Sequence, residues 1–77
     1  MSLARRENVN EDYEPSRNEE YVLDVLRERA SNPLHIQEQT GLNPQQIDYA
    51  LNKLMAAGWV EKVTTGLYEL NADPRDD

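Results

Sequence analysis

Six side chains capable of directional hydrogen bonding crowd one short stretch of the sequence: Gln45, Gln46, Asp48, Tyr49, Asn52 and Lys53. Gln and Asn each carry an acceptor and a donor on one amide, the pattern that pairs with adenine. Lys53 can pair with guanine or a phosphate, and Tyr49 can contact a phosphate or a thymine methyl. Asp48 can accept from cytosine N4 and otherwise repels a phosphate backbone. This is recognition chemistry. Covalent catalysis is not expected: Glu19 and Glu20 are adjacent, but no nucleophile-plus-base arrangement accompanies them. Gly41, Gly58 and Gly66 each stand where an element ends, so none forms a phosphate-cradling loop. The chain has no cysteine and a single histidine, His35. No metal site, cofactor or disulfide framework is therefore expected.

The elements that must position these groups are legible from caps and periodicity. Ser16-Arg17-Asn18-Glu19 has the form of a capping box, predicting a helix over 17–30. Its apolar stripe is read as Tyr21, Val22, Val25, Leu26 and Ala30, with Arg27 and Arg29 complementing the helix dipole. Leu23 falls off that stripe and is expected at the surface or against another chain. Ser31-Asn32-Pro33 breaks the helix, and a short second helix follows to Thr40, with Leu34 and Ile36 as anchors. Gly41 suits a left-handed C-cap, and Leu42 is expected to be buried in the turn. Asn43-Pro44 opens a third helix over 44–57, with Ile47, Ala50, Leu51, Leu54 and Met55 facing inward. The polar set then faces outward. Residues 59–63 and 67–70 are rich in β-formers around Thr64-Thr65-Gly66, predicting a hairpin. Trp59, the only Trp, is expected to anchor the core where the third helix meets it.

With 77 residues the chain makes one domain, over 16–71, flanked by a flexible acidic arm (1–15) and a disordered acidic tail (72–77). Arg5 and Arg6 are the arm's basic pair, outweighed by the acids that follow. A core this small is marginal alone, so a homodimer is expected, with Tyr13, Tyr21 and Leu23 as apolar contacts. The net charge is −7, but Glu38, Asp48 and Glu61 against Lys53 and Lys62 leave residues 31–68 at −1. Acid is thus concentrated at the ends and on the first helix. An acidic surface with few lysines also suits a cytoplasm of high salt. No apolar run approaches membrane-spanning length and no signal-peptide pattern is present, so a cytoplasmic location is expected.

Helix, helix, tight Gly41-Leu42-Asn43 turn, helix and hairpin is the order of a winged helix-turn-helix: mainly α, three helices plus a two-stranded wing. Residues 34–70 resemble MarR-type regulators and, among related groups, the short phage-repressor-like regulators of halophilic archaea. Gln45 through Leu54, then Ala57-Gly58-Trp59-Val60-Glu61-Lys62, then Gly66-Leu67-Tyr68-Glu69-Leu70 carry the resemblance. It implies a sequence-specific, repressor-like transcriptional regulator that binds double-stranded DNA as a homodimer. Helix 44–57 would read the major groove, with Lys62, Thr64 and Thr65 as wing contacts. The wing departs from the pattern in being short and lacking a basic tip. A competing reading is a winged helix used as a protein–protein module, which the negative charge and Asp48 favour.

Overall fold

A computed structural model describes residues 9–76. The Arg5–Arg6 pair and the last residue lie outside them. Three helices, α1 (Arg17–Glu28), α2 (Pro33–Thr40) and α3 (Pro44–Ala56), precede an antiparallel hairpin of β1 (Val60–Thr64) and β2 (Leu67–Leu70). A single 3-10 turn, Pro74–Asp76, ends the described chain.

The caps act as their residue types dictate. Ser16 and Glu19 form a reciprocal capping box on α1, with Ser16 Oγ accepting from Glu19 N at 3.3 Å and Glu19 Oε1 accepting from Ser16 N at 3.0 Å. Asn32 and Asn43 cap α2 and α3, each followed by Pro at the first helical position. Asn32-Pro33 is therefore a start signal as much as a break. Gly41 takes φ +78° at the C-cap of α2, a conformation costly for any residue bearing a Cβ. Thr40 tightens the same turn: its hydroxyl donates to Ile36 O at 2.7 Å and accepts from Leu42 N at 3.2 Å.

The core is Val22, Leu23 and Leu26 of α1, Ile36 of α2, Leu42 of the turn, the inner stripe of α3, and Trp59 and Val60. The expected stripe of α1 is corrected here. Leu23 is wholly buried, whereas Tyr21 is 43% exposed and Ala30 is exposed beyond the helix end. The buried spacing is Glu19, Val22, Leu23, Leu26, a four-residue stripe that admits a carboxylate only because the N-terminal cap occupies it. Arg29 is extended and outside α1, so only Arg27 sits in its last turn. On α2 only Ile36 is buried; Leu34 is 62% exposed.

Two connections escaped the sequence reading. Ser31, between α1 and α2, pairs with Tyr68 through two backbone hydrogen bonds of 2.9 and 3.0 Å, tying the link to the open edge of the hairpin. The hairpin register slips between Lys62 and Thr64, leaving Val63 as the extra residue, and the turn is Thr65-Gly66 with Thr64 still in β1.

Several described residues of the expected arm and tail bond to the helices and the hairpin. Asn10 N donates to Ala57 O at 2.8 Å, and Asn10 O accepts from Trp59 Nε1 at 2.8 Å. Tyr13 meets Trp59 edge to face at 5.9 Å between ring centroids. The Tyr13 hydroxyl donates to Glu19 Oε1 at 2.6 Å. At the other end, Arg75 bonds Asp73 at 2.8 and 2.9 Å and Asp24 of α1 at 3.0 Å. That hydrogen bonding holds the Asp73 carboxyl below the usual range despite its partial burial.

Burial, then the hydrogen bond and charge of Glu19, push the Tyr13 phenol from 10.0 up to about 12. The folded state therefore holds this proton more tightly than the unfolded chain. The contribution of this phenol to stability is intact below pH 10 and is lost as pH rises toward 12. Tyrosinate absorbance should show an ionising step delayed to about pH 12 that vanishes in Tyr13→Phe. If Tyr13→Phe leaves the titration curve unchanged, Tyr13 is not the late group.

Candidate nucleic-acid interface

At 100° per residue, Asp48, Asn52, Gln45, Tyr49, Lys53 and Gln46 occupy an arc of about 160° on α3. All six are exposed. The opposite side carries Ile47, Ala50, Leu51 and Leu54, each at most 1% exposed. Asn52, Gln45 and Tyr49 form the centre of the arc, with Asp48 on one edge and Lys53 and Gln46 on the other. Tyr49 is 64% exposed, an aromatic ring left outside the core while the helix beneath it is fully packed. Lys53 Nζ lies over that ring, 5.7 Å from its centroid, a helical i to i+4 cation–π contact that places the ammonium on the arc.

Gln46 differs from its neighbours. Its Oε1 accepts from Asn43 N at 2.9 Å while its own N–H donates to Asn43 Oδ1 at 2.8 Å. A two-bond pairing with adenine needs the Oε1 that this cap already uses. Gln46 is thus held as a capping residue, its Oε1 turned toward Asn43. Gln45 and Asn52 are the amides on the arc for which no such cap is present.

A groove of about 270 Å³ lies beside the arc, between the N-terminal ends of α1 and α3. Ser16, Asn18, Asn43, Gln45 and Tyr49 contribute to its walls. Glu19 lies at its base, 2% exposed, its carboxylate bonded to Tyr13 and Ser16. A smaller cleft of about 190 Å³ at the other end of the helix is shared by Asn10, Tyr13, Lys53, Ala56 and Ala57. Sequence reading missed this contribution of the N-terminal segment. The available signal was the four-residue spacing of Val9 and Tyr13, two apolar residues in a polar stretch that both pack on the core.

The hairpin follows α3 directly, and β1 packs against that helix. Lys62, Thr64 and Thr65 are exposed, and Thr64 stands about 13 Å along β1 from the buried Val60. Lys62 is opposite Tyr68, while Glu61 is opposite Glu69 on the other face. Glu61 and Glu69 are thus cross-strand neighbours. His35 is half-buried near the start of α2, where its backbone N–H donates to Asn32 Oδ1 at 2.7 Å. No group of three His, Asp or Glu side chains is placed to hold a metal among the described residues. No helix among them is long and apolar enough to cross a membrane.

No protein-family model, curated protein or solved structure matches this chain.

Proposed function

We propose that this is a winged-helix DNA-binding protein, a repressor-like transcriptional regulator that places α3 in the major groove. The observation that carries the reading is the exposed arc of α3. A helix whose inner face is fully packed presents Gln45, Tyr49 and Asn52 outward, with Lys53 beside them. These are the side-chain types that read base edges, and the tight Gly41–Asn43 turn projects the helix that bears them. Gln45 and Asn52 serve as base readers, and Lys53 and Tyr49 as phosphate or base contacts. Lys62, Thr64 and Thr65 serve as flanking contacts from the wing, and Asp48 discriminates at the edge. The protein acts as a homodimer, because one helix this short supplies few base contacts and two can read half-sites about 34 Å apart. Of the three apolar residues expected to serve that dimer, Tyr13 and Leu23 are spent on the core, and Tyr21 remains exposed.

The second reading, a protein-interaction module, is favoured by the exposed Asp48 on the arc and by the net charge of −7. Selection from a pool of random duplex DNA, at about 0.05 M and about 1 M KCl, separates the two. Enrichment of a pseudo-palindrome is expected. No enrichment at either salt rejects the DNA reading in favour of a protein partner.

A further inference from the structure

We propose that the N-terminal segment 9–14 is an electrostatic stop, which keeps the duplex backbone off the end of α3 beyond Lys53 and confines base contact to residues 45–52. The inference rests on α3 being the DNA-reading helix.

The segment is fixed at both ends. Asn10 is bonded through its N–H to Ala57 O and through its carbonyl to the Trp59 indole, both at 2.8 Å. A tight turn follows, with Asp12 N donating to Asn10 Oδ1 at 3.1 Å and Tyr13 N donating to Asn10 O at 3.2 Å. Tyr13 then seats against Trp59 and bonds Glu19. Between these anchors Glu11 and Asp12 project as exposed carboxylates, and Glu14 follows, also exposed. The cleft that Asn10 and Tyr13 share with Lys53 and Ala57 places this turn beside Lys53, the only basic residue of α3.

The reading helix is therefore polarised along its length. Its N-terminal end offers the positive pole of the dipole with Gln45, and its C-terminal end adds carboxylates to the negative pole. A phosphate backbone approaching the arc is attracted at one end and repelled at the other. Charges separated by about 10 Å in water change an affinity roughly two-fold each, and salt near 1 M removes the effect.

Two variants of equal charge change test this. Glu11→Gln with Asp12→Asn removes the acid beside Lys53. Asp24→Asn with Glu28→Gln removes the same charge from the groove of α1 with Gln39 and Thr40, to which α3 contributes nothing. Affinity is measured for the duplex selected by the parent chain, by fluorescence anisotropy. The first variant should bind about four-fold more tightly at about 0.05 M KCl, with the gain absent near 1 M. The second should change by less than two-fold. Equal gains in both would mean that net charge alone acts, and no gain in the first would mean that the turn does not face the duplex; either overturns the proposal. A parent chain that retains no duplex at either salt overturns the DNA reading itself, before any variant is compared.

Discussion

Trp59→Ala should leave the chain with little or no cooperative unfolding transition at room temperature. The indole is 1% exposed and is the largest fully buried side chain. Truncating a buried aromatic to Ala costs about 3–5 kcal/mol in lost transfer and cavity terms. Here the same change removes the donor to Asn10 O and the edge partner of Tyr13, so the N-terminal segment loses two of its anchors. It also disturbs a junction where Trp59 O accepts from Asn71 and Ala72 and Trp59 N donates to Leu54 O. Against this stands a total stability of roughly 4–12 kcal/mol for a chain of this length, with small domains toward the lower end. At that lower end the substitution removes most of the total. Trp59→Phe keeps a ring for Tyr13 but leaves Asn10 O only the longer 3.2 Å bond from Tyr13 N, and should cost about 1–3 kcal/mol, lowering Tm by roughly 5–20 °C. Thermal unfolding followed by far-UV circular dichroism measures both. A Trp59→Ala protein whose Tm falls by less than about 10 °C would show that the helix–hairpin junction holds without the indole.

The sequence made the boundaries of the elements readable because caps are local. Ser16 to Glu19, Asn43-Pro44 and Gly41 each act on groups within a few residues of themselves, so their chemistry survives without knowledge of the fold. Side assignments were harder. Counting Tyr21 into the stripe of α1 rotated it by one residue and pushed Leu23 outward. The buried carboxylate of Glu19 shows why: a polar residue sits on the inward face because the capping box and the Tyr13 hydroxyl satisfy it. Periodicity that scores only apolar residues cannot count it. The same limit hid the bridge from Ser31 to Tyr68 and the bond from Trp59 to Asn10, which span 37 and 49 positions. On α3 the outward face of the candidate site was readable from the inner stripe alone. The commitment of Gln46 to its cap was not, although an Asn followed by a Gln three residues later carries that signal.

The double substitution Gln45→Ala and Asn52→Ala should weaken binding to the selected duplex at least about thirty-fold while leaving affinity for unrelated duplex unchanged. Both side chains are exposed at the centre of the α3 arc, so truncation creates no cavity and the fold should hold. Each two-bond amide–adenine pairing is worth about 1–3 kcal/mol of base discrimination, so losing two removes about 2–6 kcal/mol, or 1.4 kcal/mol per factor of ten. Phosphate contacts are untouched, so the salt dependence should keep its slope. Lys53→Ala supplies the opposite signature: weaker binding to every duplex and a salt slope smaller by about 1. Gln46→Ala supplies a third, because it deletes the residue that closes the cap on α3. It should lower stability by about 1 kcal/mol and leave the preferred sequence as it was. Competition binding with selected and scrambled duplexes distinguishes these outcomes. If the double variant loses affinity equally for both, Gln45 and Asn52 hold the backbone and do not read bases. If Gln46→Ala changes the selected sequence, the cap opens on binding, and Gln46 joins the residues that face the groove.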